Sequence, residues 1–395
     1  MVPPTKRRRL IDLSEDNSDE ICQPASQPQK DSWNGFCEIE SEPALFNVML
    51  REFGVKGVKV QEVVSLEEEM MAFLNKPIYG LIFLFRWQED DTDRQEISCP
   101  DGLWFANQTA INACASVALL NIVNNIPDID LGENLERFKE FTKSFTPALR
   151  GDAINNFEFV KKIHNSFARK MDILNADLQL KSEATSKKRY QGQDTGNSDA
   201  TFHFIAFMPA MGQVWKFDGL ERQPQSLGEC SEDDWLELAR PNIAERMAAY
   251  EEEQIEFSML GVVRDPLHDL IQQLAVNVRG LEILNAQLTS PATPVLPDAM
   301  LSELTETVLG PDPSYGLSRE DIDAAGISEI SSSEFATELR RLRDMQRQLR
   351  GRIREEQQIQ RSDEDHATGR RYDYGPAVRT WLRFLARKHM LAELL

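Results

Sequence analysis

Tyr79-Gly80-Leu81-Ile82-Phe83-Leu84-Phe85 is apolar at odd and even positions alike and too short for a buried helix. It reads as a strand covered on both faces, because a half-exposed strand would alternate with polar residues. Ala200 to Phe207 has the same character, and Ile255 to Val263 reads as a further buried strand. Gln213 to Asp218 and the alternating Val58 to Val64 are also predicted as strands. Helical spacing appears at Glu42 to Phe53, through Leu45, Phe46, Met49, Leu50 and Phe53, with Gly54 as its stop. Further helices are expected at Leu66 to Leu74, Leu135 to Phe145 and Ala153 to Phe167, with Pro147 and Gly151 in the break between the last two.

The stretch Trp104 to Leu120 sits between these strands. Ala113, Val117 and Leu120 recur at helical spacing, as do Ala110 and Cys114, so Cys114 falls near the start of a largely buried helix. Unpaired backbone N–H groups and the positive end of the helix dipole favour a thiolate there. Taken alone, Cys114 reads equally well as a small core residue, since free cysteine is among the most buried types. Composition narrows the setting. The five cysteines are an odd number, widely scattered and without a CxxC pair, so neither a disulfide framework, a zinc site nor any cofactor is expected. A net charge of -21 argues against a nucleic-acid partner. No apolar run approaches a membrane span, and the N-terminus has prolines and Lys6-Arg7-Arg8-Arg9 where a secretory signal would have an apolar run.

His203 is the one histidine inside an apolar strand, where an imidazole needs a partner. A turn over residues 209–212, centred between 210 and 211, sets Asp218 directly opposite His203 on the same face. The carboxylate would then fix the tautomer and orientation of the ring. A satisfied core histidine is the other reading of this pair. Together with Gln108, six residues before the cysteine, these groups supply what acyl transfer by a thiol requires. The cysteine attacks, the histidine moves the proton, and the Gln108 amide with the Cys114 backbone N–H stabilises the oxyanion. The order Gln, Cys, His, Asp parallels that of papain-like proteases.

Several blocks extend the parallel: Glu40-Ser41-Glu42-Pro43 with Phe46, Phe53-Gly54-Val55-Lys56-Gly57-Val58, the 79–85 strand, His164-Asn165-Ser166-Phe167-Ala168-Arg169 and Phe217-Asp218-Gly219-Leu220. On these residues the chain, from about Trp33 to Val263, resembles the ubiquitin C-terminal hydrolase family. Glu42 and Ile111 stand where the family often has Asp and Asn, and neither is one of the four catalytic positions. The resemblance implies an α+β, papain-like fold with a central antiparallel sheet flanked by helices, followed by an all-α extension. It assigns Cys114 as nucleophile, His203 as general base and acid, Asp218 as its orienting carboxylate and Gln108 as oxyanion stabiliser. The implied reaction is hydrolysis of ester, thioester, amide and isopeptide bonds at the C-terminal glycine of ubiquitin. Residues 176–200, polar and without period, fall where the family has a crossover loop over the active site.

The expected organisation is a disordered tail at 1–31, a catalytic domain at 32–264 and a helical extension at 265–395. Within the extension, Leu267 to Leu288 is apolar and helical, and Pro291, Pro294 and Pro297 form a linker. A long charged helix then carries Phe335, Leu339, Leu342, Leu349 and Ile353 on one stripe. That stripe is expected to dock a partner, with packing on the chain's own catalytic domain as the other reading. The end of the chain, about 370–395, is similar to the helical domain of long family members. The partners implied are ubiquitin, ubiquitinated proteins and a receptor on the proteasome regulatory particle or a nuclear complex. No membrane or nucleic acid is expected. A ubiquitin-binding scaffold or a chromatin-associated histone deubiquitinase subunit is the alternative. The basic cluster at 6–9 suits import, so nucleus and cytoplasm are the expected locations.

Overall fold

The computed structural model describes residues 26–86, 96–176, 202–231, 234–253, 257–288, 307–326, 335–372 and 374–387. The basic cluster at 6–9, nearly all of the expected crossover loop, the proline linker and the residues beyond 387 lie outside them.

The first long helix, α1, is Pro43–Phe53. Its proline occupies the first turn, where a missing N–H costs nothing, and Gly54 ends it at φ 87°. Strands β1 (Val58–Glu62) and β2 (Ile78–Arg86) follow. The helix expected between Leu66 and Leu74 shrinks to one turn at Glu68–Met71. Next come α2 (Cys114–Val123), α3 (Gly132–Thr142), α4 (Pro147–Asn155) and α5 (Glu158–Asn165). Here the sequence reading is corrected, because Pro147 and Gly151 do not mark a break. Thr146 caps α4, and its hydroxyl accepts from Leu149 N–H at 3.4 Å. Pro147 then stands at the position where proline starts a helix, and the break falls at Asn156 and Phe157. Strands β3 (Phe202–Ala210), β4 (Gln213–Asp218) and β5 (Gln225–Glu229) lead to α6 (Trp235–Glu253) and β6 (Ser258–Arg264). The extension holds α7 (Leu267–Leu288), α8 (Phe335–Arg371) and α9 (Gly375–Arg387).

The six strands form one antiparallel sheet in the order β1-β6-β2-β3-β4-β5. Its central strands bury both faces, as their composition requires. Ile82, Phe204, Ala206 and Val262 join the core that holds α1 and α2, while Phe83, Ile205 and Phe207 face Trp235 and Ile243 of α6. This is the α+β architecture that the resemblance implies, followed by helices alone.

The β3–β4 register differs from expectation by two residues. Ala210 pairs with Gln213 and Ile205, not His203, lies opposite Asp218. The turn is only Met211-Gly212, with φ of 53° and 74°. Two successive left-handed residues make the tight turn whose twist suits a hairpin. Pro209 belongs to β3, one pair before the turn, where the β4 ladder calls on no N–H from it. A slip of one would have moved Asp218 to the other face; a slip of two preserves the face. His203 and Asp218 become diagonal neighbours and still meet.

Four of the five stripe residues on α8 are covered by the chain itself and so are closed to a partner; the side chain of Phe335 lies outside the described residues. Leu339, Leu342, Leu349 and Ile353 are buried, the last two in one cluster with Leu270, Leu274 and Val278 of α7. Leu342 lies on Gly280, where a side chain on α7 would meet its methyl carbon at 3.2 Å. A fully buried side chain of this size contributes about 1.5–3 kcal/mol, against at most about 1 for an exposed ion pair. Packing rather than the many surface charges therefore holds α8 to α7. The second half of α8 crosses α1 and β1. Lys59 Nζ meets Glu356 at 2.7 Å, Arg51 meets Asp363 at 3.3 Å, and Ala367 is fully buried in the catalytic core.

Candidate active site

Helix α2 begins at Cys114 itself, and Ala113 before it has no side-chain oxygen to cap the first N–H groups. The helix start is thus open to an anion. Asn112 turns the chain into this start with φ 62°, a left-handed conformation that asparagine tolerates better than most residues. The sequence reading passed over it, although an asparagine two residues before a helix start is a signal for such a turn.

A buried polar relay fixes the first turn from behind. Ser116 Oγ lies 2.8 Å from His164 Nδ1, and His164 Nε2 lies 2.7 Å from Cys37 O. The carbonyl can only accept, so Nε2 carries the proton and Nδ1 accepts from the serine hydroxyl. Complete burial pushes the His164 imidazole down to about 4, against the raising effect of the carbonyl bond. The unfolded ring, with its ordinary value of 6.5, takes up a proton that the folded ring refuses. Stability that depends on this neutral ring is present in full above pH 6.5. It is expected to be lost as pH falls from 6.5 to about 4, by roughly 3 kcal/mol. Urea unfolding at pH 7 and 4.5 measures this; His164→Gln should flatten the difference.

His203 and Asp218 are 3% and 4% exposed, and His203 Nε2 lies 2.6 Å from Asp218 Oδ1. The same oxygen accepts from Leu220 N–H at 2.9 Å, which holds the carboxylate still. The edge of the His203 ring lies against Phe85, with centroids 6.0 Å apart. Burial alone would push the imidazole down. The bond to Asp218, a bond to the Cys114 thiol and the charges of both outweigh it and raise His203 to about 9. Burial would likewise raise Asp218, but the His203 bond and charge keep it below the ordinary carboxylate range. Cys114, His203 and Asp218 are therefore in one line of contact.

Gln108 is held beside this line without lining the cleft around Cys114. Its backbone N–H donates to Gly219 O at 2.7 Å, next to Asp218. Asn107 donates from its backbone to Pro147 O at 3.0 Å and from Nδ2 to Glu221 O at 2.6 Å. Gln108 Nε2 gives one hydrogen to Ala110 O at 3.1 Å, which leaves the second N–H as the amide's uncommitted donor among the described residues. Arg150 ties the approach to this run. It is 7% exposed and donates to the carbonyls of Leu103, Phe105, Thr142 and Lys143.

The cleft itself encloses about 460 Å³ and is lined by Cys114, Asn112, Phe202, Glu40, Asp172 and Arg370, among others. Arg370 comes from the far end of α8. It donates to Glu40 Oε2 at 2.7 Å, to Asp172 Oδ2 at 2.9 Å and to Phe167 O at 3.1 Å. Asp172 also takes three bonds from Arg169, two from its guanidinium and one from its backbone N–H. Its burial would raise it, but these bonds and the charge of Arg370 hold it below the usual range. One wall of the cleft is thus pinned by the extension. Nothing local in the sequence singles out Arg370 from the other charges on its helix.

A thiol at an uncapped helix start, in contact with a buried imidazole that is itself held by a carboxylate, defines a cysteine hydrolase of the acyl-transfer kind. The family description "ubiquitin carboxyl-terminal hydrolase, family 1" matches residues 36–248, more than half of the chain. The chain is 38% identical over 259 residues to ubiquitin carboxyl-terminal hydrolase isozyme L5 of Dictyostelium discoideum, covering 65% of this chain and 71% of that one. It is 35% identical over 249 residues to ubiquitin carboxyl-terminal hydrolase ubh-4 of Caenorhabditis elegans, covering 62% and 71%. For BAP1 of Xenopus tropicalis the identity is 36% over 248 residues, covering 58% and only 34%. Among solved structures, Trichinella spiralis UCH37 bound to ubiquitin vinyl methyl ester is 33% identical, covers 60% and 86% of the two chains and gives a TM-score of 0.47. The chain belongs to the ubiquitin carboxyl-terminal hydrolase family and is a thiol-dependent hydrolase.

Proposed function

We propose that Cys114 attacks the carbonyl carbon of the C-terminal glycine of ubiquitin and cleaves the ester, thioester, amide or isopeptide bond that follows it. His203 takes the thiol proton through Nδ1, because Nε2 is committed to Asp218. The tetrahedral oxyanion is met by the Gln108 amide and the open N–H groups at the start of α2. His203 then gives its proton to the leaving group, and an acyl-enzyme thioester remains. Water, deprotonated by His203, completes hydrolysis and frees the thiol. The observation that carries this reading is the 2.6 Å His203–Asp218 bond with the Cys114 thiol on the ring's other side. The test is release of a fluorophore joined to the ubiquitin C-terminus. The full chain should turn over, and Cys114→Ser should lose at least about 10⁴-fold. Undiminished turnover by the serine variant would sink the assignment.

The division into a tail at 1–31, a catalytic domain at 32–264 and an extension at 265–395 belongs to the same reading, as does a crossover loop at 176–200 that restricts the leaving group. The extension recruits the enzyme to a receptor on the proteasome regulatory particle, in ubiquitin-dependent turnover in nucleus and cytoplasm. Helix α9 supports this: Val378, Trp381, Leu382 and Phe384 are 42–61% exposed, a concentration of apolar surface that one helix face rarely leaves in water. With Trp381→Ala and Phe384→Ala together, co-purification with proteasomes should fall at least tenfold while fluorophore release stays within twofold. Unchanged co-purification would reject this docking face.

A further inference from the structure

The run Trp104 to Ala106 leads to Gln108 outside any helix or strand and is not paired with any described strand of the sheet. Backbone groups of Trp104 and Ala106 are paired with Asn121, on the helix that carries Cys114, and with Asn125, in the turn that leaves it. Trp104 N–H donates to Asn125 Oδ1 at 2.8 Å, and Asn125 Nδ2 donates back to Trp104 O at 2.6 Å. Ala106 N–H donates to Asn121 Oδ1 at 2.8 Å, and Asn121 Nδ2 donates back to Ala106 O at 3.2 Å. Each amide thus does what a residue of a neighbouring strand would do. Asn121 is 1% exposed, so its two bonds to Ala106 have no competition from water.

The spacing is physically apt. Two residues of extended chain advance about 6.6 Å, and four residues of helix advance about 6.0 Å, so asparagines one turn apart match alternate residues of a strand. Asn121 stands seven positions after Cys114, within about 20° of its direction around the helix, and Asn125 follows four positions later in the turn that leaves the helix. The run travels back along that face: Trp104 sits by Asn125, Ala106 by Asn121, and Gln108 arrives beside Val117. The last point follows from Gly219, where an added Cβ would meet Gln108 Cβ at 3.0 Å and Val117 Cγ1 at 3.2 Å.

We propose that Asn121 and Asn125 are positioning residues, a ladder of side-chain amides that sets Gln108 in register with Cys114. This rests on the reading of Cys114 as nucleophile and Gln108 as oxyanion donor. Neither asparagine touches the reacting atoms. They act through Gln108, while Gly219 O ties the same residue to the Asp218 side. The oxyanion donor is therefore referenced to the nucleophile and to the carboxylate by separate bonds.

The test compares chemistry that needs an oxyanion donor with chemistry that does not. Asn121→Leu keeps the volume and leaves both groups of Ala106 unpaired; Asn121→Asp keeps the acceptor and loses the donor. On ubiquitin joined to a fluorophore by an amide, Asn121→Leu should lower kcat at least tenfold with KM within twofold, and Asn121→Asp should fall between it and the wild type. Alkylation of Cys114 by iodoacetamide, which forms no oxyanion, should stay within twofold in both. In a Gln108→Ala background, Asn121→Leu should cost less than twofold more. Unchanged kcat, an equal fall in alkylation, or a full tenfold loss in the Gln108→Ala background would each overturn the proposal. If Asn121→Leu fails to fold, Asn121→Asp carries the comparison: a lowered kcat with unchanged alkylation is expected, and an unchanged kcat overturns the proposal. Failure of the underlying reading looks different, since Cys114→Ser would then retain turnover whatever stands at position 121.

Discussion

Asp218→Asn should lower kcat by about 100-fold or more while the chain stays folded. The carboxylate has one role that an amide of equal size cannot copy. Asp218 Oδ1 accepts both from His203 Nε2 and from Leu220 N–H. An asparagine that keeps its oxygen on Leu220 keeps it on Nε2 too, but the bond is no longer charge-assisted. The imidazolium that forms when the thiol proton is taken up loses its counter-charge, and both proton transfers slow. The same substitution removes the charge and weakens the bond that raise His203 to about 9. Asp218 and the ionised Cys114 hold the proton that His203 takes from the thiol, so steps that need the imidazolium fade only as pH rises through about 9. In Asp218→Asn that alkaline limb should move down, toward or below 6.5. Rate-against-pH profiles of the two proteins, with thermal melts to confirm folding, decide the point.

The second large effect is expected at a glycine away from the nucleophile. Gly151 lies inside α4, where an exchange for alanine ordinarily gains up to about 1 kcal/mol of helix propensity. Here a Cβ would stand 2.2 Å from Asn107 O and 2.9 Å from Thr109 Cγ2. The first contact is with backbone, so relief requires more than 1 Å of movement by α4 or by the run that carries Gln108. Overpacking of this kind costs about 1–3 kcal/mol and outweighs the propensity gain. A displacement of about 1 Å at a catalytic group can cost about 100-fold in rate. Gly151→Ala should therefore melt lower and lose roughly that factor in kcat, although it touches none of the reacting groups. A variant more stable than the wild type with unchanged kcat would show that α4 does not bear on the Gln108 run.

The apolar doubly covered strands were legible in the sequence because burial on both faces leaves no other pattern. The candidate site was legible to the extent that its chemistry is local: a cysteine at a helix start, a histidine in a buried strand, a carboxylate across a hairpin. The turn was misjudged because Pro209 looks like a loop signal, whereas it is harmless at a pair that asks for no N–H. The face survived that error because side chains alternate with a period of two. The break expected at Pro147 and Gly151 failed for a related reason, since proline at a helix start and glycine at a close contact have purposes other than ending a helix. Arg370 and the covering of the α8 stripe were not legible. Both depend on which distant surfaces meet, and an apolar stripe has the same spacing whether its cover is α7 or another molecule.

The central claim is that Cys114, served by His203, is the group that meets the ubiquitin C-terminus. The full-length protein can be treated with ubiquitin bearing a C-terminal vinyl methyl ester and the modified residue located by peptide mass spectrometry. A single adduct on Cys114 is expected, absent in Cys114→Ser and formed much more slowly by Asp218→Asn. An adduct on Cys37, Cys99 or Cys230, or labelling that persists in Cys114→Ser, would contradict it.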